Sequence, residues 1–406
     1  MAIKYNIKYV SFRELVKDYP STTYATFSIY KYPAKFIPQV IAYILKNYCK
    51  LNMTVFDPFA GYGTVGIVSR LFGCNYELWD LNPMLKVIHD TAVMKPIEVD
   101  VNKLIQELKN SNEIFIPKWS NLKYWHPEEF LDVLTKVWGY YHSLEDNKLK
   151  KLLVIPLLKV TRYFSYSDEK IHKLYKSKYA KKKIEDLSKK DWKTSFFAML
   201  FDEIRELLKK IEDYNSLRPK PVKYKIKAGI DTLNTKLDQD VDILITSPPY
   251  LQAQEYIRST KLELFWLGYS ENYIRQLSKK EIPYANVRRI EVYSKTYEEI
   301  RGKIGDDHLL KLYDNYFFAI LRAFTSLGEN VKSYMFIFVG PAKIRGMPVP
   351  IDQIIVEHLK EFGWKYEATL IDRIVSHSMF KVDINPASGL KENRMETEHL
   401  VILRRE

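Results

Sequence analysis

The sequence predicts a doubly wound α/β fold with a mixed sheet and a helical insertion. Residues 241–245 are mostly apolar and β-branched, which is typical of a buried strand in a parallel sheet. Residues 54–56 predict a second strand, which leads through a glycine-containing loop into a helix beginning at about Thr64. Residues 113–225 instead carry apolar residues at helical spacing. An α/β domain whose sequence is interrupted by a helical insertion accounts for all three observations.

The remaining elements follow from apolar periodicity. We assign residues 1–112 and 226–406 to the α/β domain and residues 113–225 to the insertion. Helices are predicted at residues 39–48, 149–163, 196–211, 254–268, 308–327 and 351–362. Strands are predicted to end near residues 80 and 230 and to span residues 334–339, 368–374 and 399–403. Pro156 is expected to kink or split its helix, because it lacks an N–H and crowds the preceding turn.

The loop after the strand at residues 54–56 has the composition of a ligand-binding loop. It reads Asp57-Pro58-Phe59-Ala60-Gly61-Tyr62-Gly63-Thr64. Glycine allows positive φ and a close approach of the backbone to a ligand. Such a glycine pattern also fits dinucleotide sites, but the Asp57 carboxylate would repel a pyrophosphate. The loop therefore predicts a ligand site and argues against a dinucleotide, with a tight structural turn as the alternative.

Acidic residues follow two further predicted strand ends. Asp80 lies roughly twenty residues after the loop, where an acidic side chain bonds ribose hydroxyls in nucleotide-type sites. Asn82 and Pro83 also fit an ordinary helix start, as N-cap and first helical residue. Asp231 follows the strand that ends near residue 230, where an ordinary turn aspartate is the alternative.

The strand at residues 241–245 ends in Thr246-Ser247-Pro248-Pro249-Tyr250. The prolines stop the strand, because neither can donate to a sheet ladder. The Ser247 hydroxyl and the Pro248 carbonyl then provide two acceptors beside the Tyr250 ring, where open α/β sheets bind ligands. This combination suits a planar group that bears an amine. A plain strand end followed by a surface tyrosine is the alternative.

These stretches resemble those of a known enzyme family. Residues 246–250 resemble the catalytic motif of the S-adenosylmethionine-dependent amino-methyltransferases of DNA, in the serine form associated with cytosine N4. Residues 57–64 resemble that family's cofactor loop. The resemblance covers the α/β domain in outline but not the insertion, and many serine-type enzymes have the opposite motif order. The resemblance implies a Rossmann-like methyltransferase fold. It also implies an enzyme that transfers a methyl group from S-adenosylmethionine to the N4 of a cytosine flipped out of double-stranded DNA.

The resemblance also implies roles for individual residues. The target base is expected to be held by Ser247, Pro248, Pro249 and Tyr250. Cofactor contacts are expected from the glycine loop, the acidic strand ends and an N-terminal Tyr-Pro-Ala-Lys-Phe segment: Tyr32, Lys35, Phe36, Asp57, Pro58, Phe59, Gly61, Gly63, Thr64, Asp80, Asn82 and Asp231. Among these, Asp57 is implied to face the cationic amino-acid end of the cofactor and Asp231 its adenine. Neither cysteine follows a proline, which argues against carbon-5 methylation through a Pro-Cys adduct.

The insertion is a candidate DNA-recognition region. Residues 170–193 hold ten lysines and only three acids. Phosphate contact is one interpretation of this charge, and a solvated helix face is the other. The expected DNA contacts are Arg162, Tyr175, Lys181, Lys182, Lys183 and, after the catalytic motif, Arg258.

The composition restricts partners and location. Lys and Arg number 63 against 50 Asp and Glu, and the net charge of +13 favours a polyanionic partner or reflects a lysine-rich heat-adapted surface. Two cysteines provide no disulfide framework and indicate a reducing compartment. The scattered histidines predict no metal site. No apolar stretch long enough for a membrane span and no signal peptide are present, so a cytoplasmic protein is expected.

Three functions are compatible with these observations. The first is N4 methylation of cytosine in DNA, in a setting that allows a cognate restriction endonuclease as a partner. The second is methylation of adenine N6 or of an RNA base. Adenine N6 is an exocyclic amine like cytosine N4, and an RNA base can also enter such a site when it is flipped out of a helix. The third is a nucleic-acid-binding module that has kept the fold without the activity.

Overall fold

The computed structural model describes residues 3–33, 35–171, 173–251, 255–374 and 396–406. Its strands are β1 (Ile7–Val10), β2 (Thr54–Asp57), β3 (Asn75–Asp80), β4 (Tyr224–Ala228), β5 (Val241–Thr246), β6 (Val331–Val339), β7 (Ala342–Ile344), β8 (Met347–Val349), β9 (Trp364–Arg373) and β10 (Thr397–Arg405). Its α-helices are α1 (Phe12–Leu15), α2 (Pro38–Tyr48), α3 (Thr64–Phe72), α4 (Met84–Ala92), α5 (Val101–Asn110), α6 (Leu122–Trp125), α7 (Glu128–Ser143), α8 (Asn147–Tyr163), α9 (Lys178–Ser188), α10 (Trp192–Ser216), α11 (Tyr256–Ser259), α12 (Lys261–Trp266), α13 (Glu271–Ser278), α14 (Lys295–Arg301), α15 (Asp307–Gly328) and α16 (Ile351–Lys360).

The main sheet has eight strands in the order β1-β9-β10-β6-β5-β2-β3-β4. Strand β10 is antiparallel to both of its neighbours, and the other pairs are parallel. Strands β7 and β8 pair only with each other. The predicted doubly wound mixed sheet of the Rossmann-like methyltransferase kind is therefore confirmed.

The chain reverses its direction across the sheet between β2 and β5. From β2 the strands proceed through β3 and β4 to one edge, whereas from β5 they proceed through β6 toward the other. Ligands of open α/β sheets bind in the crevice at the carboxyl ends of the two strands that flank such a reversal. The glycine loop follows β2 and the Ser-Pro-Pro-Tyr motif follows β5, so both predicted sites lie at this crevice.

The central strands are buried on both faces. Ile243 and Ile245 belong to one apolar cluster, and Leu244 between them belongs to a second cluster on the other face. All three side chains are fully buried. This explains why β5 shows a continuous apolar run instead of an alternating pattern.

The insertion packs onto the sheet domain instead of forming a core of its own. Trp138 of α7, Leu153 of α8 and Tyr214 of α10 are fully buried and belong to the same apolar cluster as Ile243 of β5. Helix α8 runs unbroken through Pro156, so the expected split is wrong. Residues 152–158 around Pro156 are buried, and this packing stabilises the helix across the position where a hydrogen bond is lost.

Several elements differ from their predicted form. The segment predicted as one helix at residues 254–268 contains two, α11 and α12, separated at Thr260, while residue 254 lies outside the described residues. The edge strand β1 and the β7–β8 hairpin were not predicted. Cys49 and Cys74 are joined as a disulfide, which the sequence did not lead us to expect.

Within the described ranges, no helix is both long enough and apolar enough to cross a bilayer.

Candidate active site

A cleft of about 870 Å³, including space open to solvent, lies at the carboxyl ends of β2, β3, β4 and β5. The segments that follow these four strands all line it. Among the residues predicted to bind the cofactor or the base, the lining includes Tyr32, Lys35, Phe36, Asp57, Phe59, Gly61, Asp80, Asn82, Asp231, Ser247 and Pro249. The fold thus brings together residues as far apart in the sequence as Tyr32 and Pro249.

Other predicted residues stand just behind this lining. Gly63 and Thr64 are buried at the start of α3, where Gly63 has φ +85° and a Cβ there would meet Leu85 at 3.1 Å. The Pro58 carbonyl accepts a hydrogen bond of 2.7 Å from the Thr232 hydroxyl. These residues shape the loop from behind, and the cleft surface is formed by their neighbours.

A hydrogen bond joins the glycine loop at the end of β2 to the Thr-Ser-Pro-Pro-Tyr motif at the end of β5. The Thr246 hydroxyl donates to Asp57 Oδ1 over 2.6 Å, and the Phe59 N–H donates to the same oxygen over 3.1 Å. Asp57 is only 2% exposed, and burial raises its pKa to about 7 despite these two donors. The carboxylate is therefore poised between its neutral and charged forms at physiological pH.

Asp80 braces the glycine loop. Its Oδ2 accepts from the Gly61 N–H at 2.8 Å and its Oδ1 from the Asn82 N–H at 2.7 Å. Burial raises the pKa of Asp80 to about 6. Each carboxylate oxygen can accept more than one hydrogen bond, so bracing the loop leaves capacity for ligand hydroxyls.

Asn82 and Asp231 also have structural partners. The Asn82 side chain donates to the Thr260 hydroxyl at 2.9 Å and accepts from the Met84 N–H at 3.1 Å. Helix α4 begins at Met84, one residue later than predicted. The Asp231 carboxylate accepts from the Leu233 N–H at 3.0 Å. Asp231 is therefore the expected turn aspartate, whereas the N-cap of α4 is Pro83 instead of Asn82, and both Asn82 and Asp231 also line the cleft.

The N-terminal segment covers the glycine loop. A Cβ on Gly61, which has φ +51°, would lie 3.1 Å from the Tyr32 ring. The Lys35 ammonium bonds the carbonyls of Thr22 and Phe27, and burial lowers its pKa to about 8. Lys35 therefore ties this segment to the preceding turn while its side chain forms part of the cleft wall.

The Ser-Pro-Pro-Tyr motif lies at the cleft edge. Ser247 and Pro249 are part-buried and line the cleft, whereas Pro248 is buried between them. Tyr250 lies next to this lining, and its hydroxyl donates to Glu398 Oε1 of β10 at 3.1 Å. Ser247 and Pro249 of the motif therefore face the same cleft as the glycine loop, with Pro248 and Tyr250 beside them.

Sequence analysis missed one wall of the cleft. Lys280, Glu281 and Ile282 line it from the segment after α13. Glu281 is 6% exposed and accepts from the Ile257 N–H at 2.8 Å, and burial raises its pKa to about 7. No motif marks this polar stretch, so only the fold reveals its place. Tyr256, which also lines the cleft, stacks near Tyr32 with ring centroids 6.5 Å apart.

Two of the predicted DNA contacts are engaged inside the protein. Arg162 Nη1 lies 2.6 Å from Oε1 of the fully buried Glu263, and Lys183 Nζ lies 2.8 Å from Glu169. Their side chains are only 17% and 9% exposed. In the free protein both cations are thus held against carboxylates, so a contact of either one with a DNA phosphate would have to compete with these ion pairs.

The other predicted contacts are at the surface. Lys181 and Lys182 are exposed on α9, and Tyr175 is 49% exposed just before it. Arg258 is also exposed and pairs with Glu255 at 3.0 Å. The ammonium of Lys176 lies 3.7 Å from the Tyr166 ring centroid and 4.4 Å from that of Tyr124. The insertion thus presents lysines and tyrosines together.

Among the residues that the structure describes, no group of three or more His, Cys, Asp or Glu side chains is arranged to hold a metal ion.

Comparison with known proteins identifies relatives of one kind. No family model matches the chain. The Type II methyltransferase M.BsoBI of Geobacillus stearothermophilus is 22% identical over 390 residues, which cover 77% of this chain and 73% of that protein. M.AvaI of Nostoc sp. is 23% identical over 420 residues, covering 88% and 83%. M.MjaII of Methanocaldococcus jannaschii is 26% identical over 200 residues, covering 48% and 32%.

A comparison with solved structures adds little. The rRNA methyltransferase aviRa of Streptomyces viridochromogenes overlaps 93% of this chain and 88% of its own, with 11% identity and a TM-score of 0.30. That score is too low to support a shared fold, which rests here on the strand order itself. In sequence, the chain is therefore similar over most of its length to proteins that are Type II methyltransferases.

Proposed function

We propose that this protein transfers a methyl group from S-adenosylmethionine to the exocyclic N4 of cytosine at specific sites in double-stranded DNA. The observation that carries this proposal is the convergence of the glycine loop and the Ser-Pro-Pro-Tyr motif on one cleft at the sheet's switch point. Thr246 and Asp57 join the two by a direct hydrogen bond. The similarity to Type II methyltransferases supports a DNA substrate and a restriction–modification setting.

The residues of the cleft fit this cofactor. Asp57, Asp80 and Glu281 bring carboxylates to a site whose proposed ligand carries a sulfonium and an ammonium group. At Gly61 the loop approaches the Tyr32 ring so closely that a side chain would fill the remaining space. When bound, S-adenosylmethionine supplies an activated methyl group. Asp57 would hold its amino-acid end, and Asp80 and Asp231 its nucleoside part.

The chain's own contribution to the reaction is chiefly to position the base. The cytosine must leave the duplex, because its amine is otherwise paired and stacked. Ser247 and the Pro248 carbonyl would accept hydrogen bonds from the amine, and the Tyr250 ring would stack on the base. The amine nitrogen then gains the methyl group and releases a proton. Fixing this geometry can supply a large share of the rate, because the donor is already activated.

The proposal extends to the setting of the enzyme. The net charge of +13 and the exposed lysines of α9 suit a phosphate backbone. We therefore propose the insertion, residues 113–225, as the main DNA-recognition region. We also propose that the protein is cytoplasmic, that it requires no metal and that a cognate restriction endonuclease is its partner.

The test is transfer of a labelled methyl group to unmethylated DNA, followed by mass spectrometry of the nucleosides. N4-methylcytosine is the expected product. N6-methyladenine as the sole modified base would overturn the assignment of the base, and label in RNA alone would overturn that of the substrate. If calorimetry detected no binding of the cofactor and no transfer occurred, the chain would be a nucleic-acid-binding module.

A further inference from the structure

The hydroxyl of Tyr250 is anchored by a residue far away in the sequence. It donates to Glu398 Oε1 at 3.1 Å across a separation of 148 residues. Glu398 lies at the second position of β10, the antiparallel strand of the sheet. Nothing in the Ser-Pro-Pro-Tyr motif specifies this partner, which only the sheet brings into place.

The surroundings of Glu398 are unfavourable for a carboxylate. Glu398 pairs across the strands with Asp372 of β9, so two acidic residues face each other. Among the described residues Arg13 is a compensating cation, with its Nη1 3.9 Å from Asp372, while the adjacent His399 ring is engaged by Asp352 at 2.9 Å. Burial and Asp372 both raise the pKa of Glu398, and its hydrogen bond from Tyr250 and the charges of Arg13 and His399 act against that rise.

Stability alone does not explain a glutamate at this position. A part-buried acid beside the buried Asp372 destabilises the fold, whereas the hydrogen bond with Tyr250 offsets part of that cost. A carboxylate binds a phenol more strongly than a neutral acceptor does. The contact with Glu398 therefore restrains the ring of Tyr250 more strongly than a neutral acceptor would.

The backbone of Tyr250 is restrained at the same time. The two residues before Tyr250 are Pro248 and Pro249, and each proline ring fixes the φ angle of its own residue. The Tyr256 hydroxyl accepts a hydrogen bond from the Tyr250 backbone. With the backbone restrained, the remaining freedom is rotation of the side chain, and a bond to its terminal hydroxyl removes that rotation. The faces of the ring stay available for stacking.

We propose that Glu398 is a positioning residue, which holds Tyr250 by its hydroxyl so that the ring presents its face to the flipped target base. This inference rests on the proposed function, since it assigns Glu398 to the same site. Glu398 acts through Tyr250 and has no contact with the cofactor cleft. Its loss should therefore affect the base and spare the cofactor.

The test compares Glu398→Ala, Glu398→Gln, Tyr250→Phe and the double variant Tyr250→Phe/Glu398→Ala. Glu398→Ala should lower kcat about tenfold and leave the Kd for the cofactor within twofold. Glu398→Gln should recover most of this loss, because an amide oxygen can still accept from the hydroxyl. Tyr250→Phe, which removes only the hydroxyl, should lose about as much as Glu398→Ala. The double variant should be no worse than either single one.

A second measurement reports the base directly. With 2-aminopurine in place of the target cytosine, the fluorescence of the flipped base should be quenched by stacking in the wild type and less quenched in Glu398→Ala. Asp352→Asn is the matched control, since Asp352 bonds the neighbouring His399 and does not touch Tyr250. It should leave kcat and quenching unchanged.

The outcomes separate the two proposals. Additive losses in the double variant, full activity of Tyr250→Phe, or a Glu398→Gln loss equal to that of Glu398→Ala would each overturn the role of Glu398. If Glu398→Ala does not fold, Tyr250→Phe still decides the matter. Absence of methyl transfer by the wild type would instead overturn the proposed function.

Discussion

At the scale of single residues, the proposed role of Asp57 predicts that cofactor binding depends on pH. Its pKa of about 7 in the free protein reflects burial, and a cationic ligand favours its ionised form. Below that pKa the carboxyl must lose its proton before it can pair with the cofactor. Affinity should therefore rise as pH increases from 5.5 to 7.5, by up to about tenfold per unit below the pKa.

Calorimetry across this pH range measures the effect. Asp57→Asn is the control, because it should bind the cofactor weakly and with a shallower pH dependence. A shallow slope is expected to remain, since burial also raises the pKa of Asp80 and Glu281 to about 6 and about 7. An affinity that is constant between pH 5.5 and 7.5 would place the cationic end of the cofactor away from these carboxylates.

Gly61 provides a steric test of the same cleft. Gly61→Val should weaken cofactor binding by more than about tenfold, or roughly 1.4 kcal/mol. The reason is steric, because a Cβ at residue 61 would lie 3.1 Å from the Tyr32 ring and the rest of the valine side chain would enter the cleft. Gly346 is a matched control, since it also has a positive φ of +86° but no neighbour within 4 Å. Gly346→Val should strain the backbone without affecting binding. Equal losses in the two variants would indicate general strain.

Ser247 tests the contact to the base. Ser247→Ala should lower kcat far more than it changes the Kd of the cofactor, because it removes a group that holds the amine. The variant Ser278→Ala, which removes a part-buried hydroxyl that donates to the Ile274 carbonyl at 3.2 Å, serves as control. Steady-state kinetics together with calorimetry separate the two effects. Unchanged kcat would exclude Ser247 from the reaction.

At the scale of elements, helix α9 divides the lysine run into two kinds of residue. Lys181 and Lys182 are exposed, whereas Lys183 is held by Glu169 and lies 4.7 Å from the Tyr163 ring centroid. An amphipathic helix accounts for this division, since Ala180 and Ile184 of the same helix are buried. The total charge of the run therefore overstates what it can offer to DNA.

The expected effects differ accordingly. Replacing Lys181 and Lys182 by alanine should weaken DNA binding and reduce its salt dependence by up to about two charge units. Lys183→Ala should instead lower thermal stability. The exposed lysines Lys295 and Lys303 provide a charge-matched control at another site. Binding isotherms at several salt concentrations measure the slope, and an unchanged slope would make α9 a solvated face.

At the scale of the whole molecule, insertion and sheet share one apolar cluster. Trp138 is fully buried, donates to the Thr161 hydroxyl at 2.9 Å and stacks near Trp266 with centroids 5.8 Å apart. Trp266 follows the catalytic motif in the α/β domain. A helical region that meets the sheet domain in this way should unfold with it.

Trp138→Ala tests this coupling. Loss of the buried ring should destabilise the protein by about 3–5 kcal/mol. Hydrogen exchange should then become faster in β5 as well as in α7 and α8. Tyr124→Ala, at a residue that is 54% exposed, is the control and should change neither. Faster exchange confined to the insertion would show that it is an independent unit.

The sequence by itself determined the elements whose cause is local. The apolar run of β5, the prolines that end it and the glycines that follow β2 act through neighbouring residues, so their patterns were legible without a structure. The position of loop and motif at the carboxyl ends of strands also followed, because open parallel sheets bind ligands there, whereas the adjacency of β2 and β5 became known only from the sheet. These features were sufficient to identify most of the cleft.

Only the tertiary structure decided which distant side chains meet. Glu281, Glu398 and the Glu263 partner of Arg162 lie in stretches without a motif, and their roles depend on packing across one hundred residues or more. Burial also shifts charge states, since it raises the pKa of Asp57 to about 7 and, together with the charge of Lys210, lowers the pKa of Lys35 to about 8. Sequence patterns record the local preferences of the backbone, whereas contacts and solvent exclusion are properties of the folded chain.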